Sequence, residues 1–592
     1  MSPGKVYVRF LVWRMKHISD KNFVLLLSGV VGAISGVAAV ILKQSVHLIE
    51  HFLTTSDLFS RYNSLFILYP LIGILLTTLV ARYILKESLG HGITNILYSI
   101  SKNSSVLRKG WTYSRMITSA LTVGFGGSVG LEAPIVVTGS AIGSNIAKNA
   151  HLSYKRRTLL IGCGSAGAIA AIFNSPIAGV IFSIEVIMAE VTIAAFTPLL
   201  IASVCGSLIS LILSGEHILF SFQLTDPFTA GDTPYFLLLG AICGLVSLYF
   251  VRVVFYVENL IQSVKSYLPR ALFGGIILGL IIFIFPPIYG EGYTTIKALL
   301  SGKEIQLFDN SLLLPSYQTL PSLILFTLGL ILIKPIATAL TIGSGGSGGI
   351  FAPSLFLGGI TGFLSAILIN TITFSQTVSP SNFTLVGMCG VMSGVLHAPL
   401  TAIFLIAEIT SGYTLFVPLM LVSAISYSTI SYFEKYSFYT KHLVEKGDLI
   451  PNDKDRELLS LIDLHKIIET DLLQISPNAY LKDLVDLVKR SKRNIFPVVN
   501  SNGGLSGVVT LDDIRDIMFE TDYQNSVRIR ELMQDPPAFV SSREKMQSVM
   551  NKFEKTEAWN LPVIDEGIYI GFVSKSRIFN AYRRKLRRQV LD

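Results

Sequence analysis

The stretch GGSVGLEAP at residues 126 to 134 returns as GGSGGIFAP at residues 345 to 353. Six positions coincide when Gly126 is aligned with Gly345, without any gap, so the chain contains an internal repeat. Each copy is a glycine-rich break with Pro in the first turn of a predicted helix, where unpaired N–H groups and the positive end of the helix dipole point forward. The two motifs therefore predict an anion site where two halves of a membrane protein meet, near mid-membrane.

Composition places most of the chain in a membrane. Of its 592 residues, 51% are hydrophobic and 15% are charged, whereas soluble proteins carry about 25% charged residues. Apolar runs that approach the length of a bilayer crossing recur at 23–41, 65–80, 196–213, 236–251, 273–285, 323–339 and 415–430. Gly and Pro interrupt several runs, which predicts helices of unequal length, some of them not crossing.

Charge predicts the orientation in the membrane. The N-terminal segment 1–21 is rich in Lys and Arg, which the positive-inside rule places on the cytoplasmic side of an inner membrane. The apolar run that follows is too long for a cleaved signal, so we interpret it as retained. The net charge of +9 includes RRKLRR at 583 to 588. This basic segment indicates contact with lipid headgroups or acidic loops, or else a solvated cytoplasmic tail.

A second pair of segments repeats in the same order. Residues 162–185 resemble residues 387–408, with Pro176 matching Pro399 and Glu185 matching Glu408 at the same spacing. Residues of about 65 to 215 and 275 to 435 are therefore predicted to be duplicated folds. The sequence leaves open whether the copies run parallel or inverted.

The end of the chain has a different character. Residues 495–518 match residues 560–582, each with the pattern strand, turn, strand, then Thr or Ser opening a helix. This doubled module resembles a tandem CBS-domain pair. The predicted domains are a cytoplasmic segment at 1–21, a membrane transport domain at 22–445, and CBS domains at 455–520 and 527–590.

The membrane region resembles the CLC family of chloride channels and proton-coupled chloride exchangers. GIFAP at 349–353 agrees with the family motif GxFxP, and GLEAP at 130–134 matches GREGP at three positions, with Leu131 and Ala133 departing from it. The resemblance implies an all-α polytopic domain of two repeated halves, followed by a soluble α/β CBS pair. It also implies a homodimer with a separate anion path in each subunit.

Glu132 is the predicted gate. An ionisable group inside a membrane segment is costly and usually functional, and a carboxylate can occupy an anion site as a tethered competitor until protonation releases it. By resemblance it is the external gate. The implied anion ligands are the N–H groups of Ile350 and Phe351 and the Tyr439 hydroxyl, with Gly130 and Gly349 forming the loops.

The first family motif, GSGIP, has only GHGIT at 90–94 as its counterpart. His91 stands where the family has an anion-coordinating Ser. Its imidazole is able to donate a hydrogen bond to an anion, but a single His near an apolar helix also commonly makes one local hydrogen bond. Both interpretations stay open, and with them the selectivity among anions.

The position of the inner proton acceptor favours passive conduction. By resemblance, Glu185 keeps the first acidic position of the exchangers, whereas Val186 occupies the second and cannot hold a proton. Voltage-gated and pH-gated conduction is therefore the first hypothesis, and a proton-coupled chloride exchanger is the alternative, with Glu190 as a substitute acceptor. Glu185 and Glu408 are predicted to make structural hydrogen bonds at helix ends.

The CBS pair offers possible adenine nucleotide sites. By resemblance, a Thr or Ser and an Asp at the start of the final helix bind the ribose. The first module has Thr510 and Asp513, whereas the second has Ser574 but Arg577 in place of the Asp. A purely structural, dimer-forming pair is an equal alternative.

Two other classes of function compete with transport: a membrane-anchored nucleotide sensor and a membrane-embedded enzyme. A membrane-anchored nucleotide sensor would need neither the glycine-rich motifs nor a buried Glu. No helix carries paired His residues, a Ser/His/Asp set or metal-spaced carboxylates, and the four cysteines lack metal-ligand spacing. The sequence therefore predicts no enzyme, no metal and no required cofactor.

Overall fold

A computed structural model describes residues 14, 16–55, 67–87, 90–188, 193–215, 228–308, 311, 319–373, 378–410, 412–445, 459 and 462–591. The chain divides into two compact units, Met1–Leu449 and Ile450–Asp592. The first is helical, and the second contains two small sheets.

Glycine and proline breaks separate the helices of the first half of the membrane unit. The described helices are α1 (Asp20–Thr55), α2 (Leu68–Leu79), α3 (Gly92–Lys102), α4 (Ser114–Gly124), α5 (Glu132–Asn149), α6 (Tyr154–Phe173), α7 (Pro176–Phe182) and α8 (Ile193–Ser214). A π-helical turn continues α2, and another continues α7 over Ser183–Ile187.

The second half repeats this alternation of long and short helices. Its described helices are α9 (Thr233–Gln262), α10 (Tyr267–Ile284), α11 (Tyr293–Leu300), α12 (Leu320–Gly343), α13 (Phe351–Thr373), α14 (Pro380–Leu396), α15 (Pro399–Ile409), α16 (Phe416–Phe433) and α17 (Phe438–Glu445).

The lengths of these helices confirm a multi-pass membrane domain. Within the described residues, eight helical segments are long and apolar enough to cross a bilayer. Two of them, Tyr154–Phe173 and Phe351–Thr373, were not among the apolar runs predicted from the sequence. In Tyr154–Phe173, a basic first turn and many Gly, Ala and Ser residues dilute the apolar signal, whereas Phe351–Thr373 is as apolar as the predicted runs. Both helices are mostly buried inside the protein and pack closely against their neighbours.

Equivalent glycines pack the two halves in the same way. Helix α5 meets α6 where Gly139 lies against Gly164, and α13 meets α14 where Gly358 lies against Gly387. A Cβ on any of these glycines would collide with the backbone of the partner glycine. The repeat aligns Gly139 with Gly358 and Gly164 with Gly387. The duplication predicted from the motifs therefore extends to the helix packing.

Both halves also end the same helix with the same backbone device. Helix α6 ends at Asn174 and α14 at His397, and both residues adopt a left-handed conformation, with φ of 58° and 54°. Each is followed by a helix that starts with Pro, at Pro176 and Pro399. The left-handed residue stops one helix and the Pro starts the next.

The second unit contains the doubled hairpin predicted from the sequence. Strand β1 (Ile495–Val499) pairs antiparallel with β2 (Leu505–Thr510), and β3 (Asn560–Asp565) pairs antiparallel with β4 (Ile568–Ser574). The described helices are α18 (Leu481–Arg490), α19 (Leu511–Ile514), α20 (Thr521–Ser526), α21 (Ile529–Leu532), α22 (Met546–Thr556) and α23 (Lys575–Leu591). The predicted fold class, a helical membrane domain followed by an α/β pair, is confirmed.

Candidate anion site at the junction of the repeats

The two glycine-rich loops lie directly against each other. The Gly130 N–H donates to the Gly349 carbonyl at 2.9 Å, and the Gly349 N–H donates to the Gly130 carbonyl at 2.8 Å. The two residues are repeat equivalents and pair antiparallel. Because each donates to the other, a local two-fold axis relates the two loops.

Side chains hold the loops in place with the same symmetry. The Ser128 N–H donates to the Thr341 hydroxyl at 3.2 Å, and the Ser347 N–H donates to the Thr122 hydroxyl at 2.9 Å. The loops begin at Gly126 and Gly345, whose φ angles of 88° and 109° favour glycine. Each half of the chain therefore fixes the loop of the other.

Glu132 is the first residue of α5 and is only 1% exposed. The Tyr293 hydroxyl donates to Glu132 Oε1 at 2.6 Å. The other oxygen is folded back over the first loop, because a Cβ on Gly130 would collide with Glu132 Oε2. The N–H of Ala352, in the first turn of α13, faces this carboxylate. Among the described residues, however, no donor reaches Oε2 at hydrogen-bonding geometry.

Ile350 and Phe351 lie at the start of α13, and both are buried. The N–H groups in the first turn of a helix have no partner within the helix, so this end carries partial positive charge. The centroid of the Phe351 ring lies 5.4 Å from that of Phe173 and 6.1 Å from that of Phe182. These aromatic contacts fix the direction of the helix start.

Tyr439 lies in the first turn of α17 and is 2% exposed. Its hydroxyl has no hydrogen-bond partner among the described residues. Its carbonyl accepts a hydrogen bond of 3.0 Å from the Thr94 hydroxyl on α3. The Tyr439 phenol is also within electrostatic range of Glu132. The structure therefore brings a buried, unpaired hydroxyl to the same region as the paired loops.

His91 immediately precedes α3, and its imidazole is already engaged. Its Nε2 lies 3.1 and 2.9 Å from the two carboxylate oxygens of Glu258, near the end of α9. The His91 ring also stacks on His442 at 4.7 Å. His91 therefore makes a hydrogen bond within the protein, which was one of the two interpretations left open by the sequence. Its partner lies 167 residues away along the chain.

Three polar residues near the loops, the buried Lys334 and the half-buried Tyr293 and Glu291, were not predicted from the sequence. Tyr293 bonds Glu132, Glu291 accepts from the Leu131 N–H at 3.2 Å, and the Lys334 ammonium donates to the Ser128 hydroxyl at 2.8 Å. Lys334 also donates to the carbonyls of Ile288 and Gly290. A charged residue inside an apolar run, such as Lys334 in α12, was the available signal.

Glu185 and Glu408 make the structural hydrogen bonds predicted for them. Glu408 accepts from the N–H groups of Ile177 and Ala178 at the start of α7, at 3.0 and 2.8 Å. Glu185 accepts from Leu400 and Thr401 at the start of α15, at 3.2 and 2.8 Å. Each half therefore caps a helix of the other half with a carboxylate.

Val186, next to Glu185, is half-buried and packs against the main hydrophobic core. Glu190, the predicted substitute proton acceptor, lies outside the described residues. The structure therefore places an apolar side chain at the second acidic position.

The candidate nucleotide residues are engaged in local contacts. Asp513 Oδ2 accepts from both the N–H and the hydroxyl of Thr510 at 2.7 Å, which forms the cap of α19. In the second module, the Ser574 hydroxyl donates to Glu469 at 2.6 Å. Arg493 and Arg577 both pair with this buried Glu469. In the second module, Glu469 thus accepts the hydrogen bond from Ser574 that Asp513 accepts from Thr510 in the first.

Comparisons with known proteins agree with this architecture. The family described as voltage gated chloride channel matches residues 72–431, and the CBS domain family matches residues 464–520 and 529–584. Chloride channel protein CLC-e of Arabidopsis thaliana is 30% identical over 66% of this chain, which spans 57% of that protein. The H(+)/Cl(-) exchange transporter ClcA of Vibrio cholerae is 27% identical, over 68% of this chain and 84% of its own length.

Solved structures share the fold. A slow cyanobacterial Cl-/H+ antiporter superposes with a TM-score of 0.62 at 22% identity, over 72% of this chain and 98% of its own. A eukaryotic CLC transporter covers 94% of this chain and 99% of its own, with a TM-score of 0.59 at 18% identity. With its membrane domain matched over residues 72–431 and its end matched by two CBS domains, the chain belongs to the voltage-gated chloride channel (CLC) family.

Proposed function

We propose that this protein carries chloride or a similar monovalent anion across the membrane, along a path that Glu132 opens and closes. One observation carries the proposal: the buried Glu132 carboxylate lies over the paired loops with an oxygen that no described donor satisfies. A negative charge therefore occupies the place that the helix starts favour. A permeating anion and this carboxylate compete for it.

The proposed anion ligands are the N–H groups of Ile350 and Phe351 and the Tyr439 hydroxyl, with Gly130 and Gly349 forming the backbone beneath. A helix start supplies only about half a unit of positive charge. Such a site replaces water around a monovalent anion without trapping it, which transport requires. Glu258 engages His91 Nε2, so we do not assign this nitrogen as an anion ligand. We include His91 in the site because it stands at the start of α3.

Passive conduction, gated by voltage and pH, is the first candidate because Val186 cannot relay a proton from the inner side. External acid then opens the path by neutralising Glu132. Proton-coupled exchange is the second candidate, and the exchange transporter of V. cholerae and the cyanobacterial antiporter favour it. Glu291, a second carboxyl within electrostatic range of Glu132, supplies a further proton-binding group for this candidate.

Flux into reconstituted vesicles tests the proposal. Wild-type protein and Glu132→Gln are compared with chloride, nitrate and fluoride, with and without a pH gradient. A passive pore reverses at the chloride equilibrium potential, whereas an exchanger reverses at a potential that depends on the pH gradient. We expect Glu132→Gln to conduct chloride at a rate independent of pH and to move no protons.

Glu408→Gln is the matched control, because Glu408 is another membrane carboxylate, half-buried, that caps a helix. It should keep the pH dependence of the wild-type flux. Persistent proton movement in Glu132→Gln would contradict the gate. Absence of anion flux from folded wild-type protein would instead favour the membrane-anchored nucleotide sensor.

The wider arrangement is part of the same proposal. The protein is a multi-pass membrane protein, and we place it in the cell inner membrane with its N-terminus and CBS domains in the cytoplasm. We also propose a homodimer in contact with membrane lipid, with an anion path in each subunit. The local contacts of Thr510, Asp513 and Ser574 favour a structural CBS pair, with binding of an adenine nucleotide as the alternative. Equilibrium dialysis of the full chain against ATP distinguishes the two.

A further inference from the structure

Three potential metal ligands converge near the proposed anion site. His91, Glu258 and His442 each offer one ligand atom, and these atoms lie within 4.8 Å of one another. They come from three separate elements: the start of α3, the last turns of α9, and α17. The sequence predicted no metal because no single helix carries the ligands.

The donor set and its spacing suit a divalent transition metal. Two imidazoles and one carboxylate, with an open fourth position, form a common zinc ligand set. Ligand atoms around tetrahedral zinc lie about 3.3 Å apart, given bonds of about 2.0 Å. His91 Nε2 and Glu258 Oε2 are already 2.9 Å apart. The His442 ligand nitrogen lies within 4.8 Å of these atoms, so an approach of up to about 1.5 Å completes the set.

The surroundings of the cluster favour a bound cation. The side chains of His91 and Glu258 are only 11% and 5% exposed, and a buried carboxylate requires a compensating charge. His91 supplies it only when its imidazole is protonated, and Lys441 does not supply it, because its ammonium is bonded to Glu434 at 2.7 Å. Gln262 donates to Glu258 Oε1 at 2.8 Å and orients the carboxylate, as the outer hydrogen-bond partners of metal ligands do.

The cluster also has an apolar wall. The Phe255 ring lies 4.3 Å from the His442 ring, and the Phe438 ring lies 5.1 Å from the His91 ring.

We propose that His91, Glu258 and His442 form a binding site for a divalent transition metal such as Zn²⁺, and that the bound metal slows anion transport. The mechanical link is the contact between α3 and α17. The Thr94 hydroxyl already donates to the Tyr439 carbonyl. His91 lies one turn before Thr94, at the start of α3, and His442 lies one turn after Tyr439 in α17. A metal bound there ties the two helices at a second point and restricts Tyr439. This effect on transport rests on the proposed function, whereas metal binding does not.

Cobalt is the probe for binding, because Co²⁺ in a tetrahedral N/O site absorbs visible light. The untagged full-length protein, washed with chelator, is titrated with Co²⁺ alone. We expect one Co²⁺ per chain, displaced by Zn²⁺, with affinity lowered at least tenfold in His442→Gln and in Glu258→Gln. Gln262→Leu should weaken binding by about tenfold, because the carboxylate then loses the hydrogen bond that orients it.

His397→Asn is the matched control, because it removes a histidine away from the cluster and installs the residue found at the equivalent Asn174 of the other half. It should bind Co²⁺ as the wild type does. No absorption band in the wild type, or an equal band in His442→Gln and Glu258→Gln, would overturn the site.

Chloride efflux with and without Zn²⁺ tests the consequence. Zn²⁺ should slow efflux severalfold in the wild type and in His397→Asn, and leave His442→Gln unaffected. A wild type that binds Co²⁺ but transports equally well with Zn²⁺ would overturn the inferred effect on transport. Failure of the proposed function would be seen separately, because the wild type would then show no flux before any metal is added.

Discussion

The two glycine-rich loops share a backbone but differ in one decisive side chain. When Gly130 is aligned with Gly349, Glu132 of the first loop corresponds to Phe351 of the second. The loops pair through these two glycines and receive equivalent hydrogen bonds from threonine hydroxyls of the opposite halves. The symmetric part of the junction therefore forms the candidate site, and the asymmetric position carries the charge of the proposed gate.

The caps of Glu185 and Glu408 show the opposite case. Here both repeats keep the carboxylate, and both use it for the same contact with the other half. Symmetric carboxylates are structural in this protein, whereas the asymmetric one lies at the candidate site. Substitutions at both kinds of position test this distinction.

Gly143→Leu and Gly362→Leu should each strongly lower the folded fraction. A Cβ on Gly143 would collide with the Leu160 carbonyl, and one on Gly362 with the equivalent Phe383 carbonyl. Overpacking at such a contact costs about 3 kcal/mol. Size-exclusion chromatography of the solubilised protein measures the folded fraction, and Gly231→Leu, in open surroundings, is the control. If only one of the two variants failed to fold, the halves would not depend equally on their packing.

Tyr293→Phe should open the gate at neutral pH. The Tyr293 hydroxyl donates to Glu132 at 2.6 Å, and a hydrogen bond to a charged group contributes about 1.5–3 kcal/mol. Its loss should raise chloride efflux by about tenfold or more. The increase should vanish in acid, where Glu132 is protonated in both proteins. Tyr289→Phe is the control, because it also removes a tyrosine hydroxyl, but one that lies 3.5 Å from the Gly124 carbonyl. A pH-independent increase would contradict the role assigned to Tyr293.

Glu185→Gln and Glu408→Gln should destabilise the protein by similar amounts. Each removes a negative charge from a helix start and weakens its hydrogen bonds, at a cost of about 1–2 kcal/mol. The Glu185 variant should lose slightly more, because the Thr401 hydroxyl also donates to Glu185 and Ala178 stands at the equivalent position. Thermal unfolding of the solubilised protein measures both. A large loss in only one variant would show that the two caps differ in function.

Phe351→Leu should have the smallest effect. It removes ring contacts with Phe173 and Phe182, which are worth about 1 kcal/mol, but leaves the backbone N–H at this position in place. Thermal stability should fall slightly, and the pH dependence of chloride flux should match the wild type. A flux that lost its pH dependence would mean that the second loop also takes part in gating through its side chain.

The internal repeat made much of this structure predictable. Two similar loops, each before a helix, indicated a shared junction, and the matched Glu185 and Glu408 indicated equivalent helix ends. The doubled strand, turn, strand pattern likewise indicated two hairpins with Thr510 and Ser574 at the following helix starts. In each case, two positions carried the same local pattern, so that one supported the interpretation of the other.

The contacts that the sequence did not predict lack this support. Tyr293 meets Glu132 from 161 residues away, and Glu258 meets His91 from 167 residues away, between elements that the repeat does not relate. Periodicity and spacing describe one element at a time. They do not specify which side chains of unrelated helices meet in a buried junction, because that depends on the packing of the whole domain.

The crossed caps make each half of the membrane domain incomplete on its own. The start of α7 is neutralised by Glu408 and the start of α15 by Glu185. A chain of half this length would leave one helix start without a carboxylate, unless a second copy supplied it. The two repeats are therefore expected to fold together and not separately.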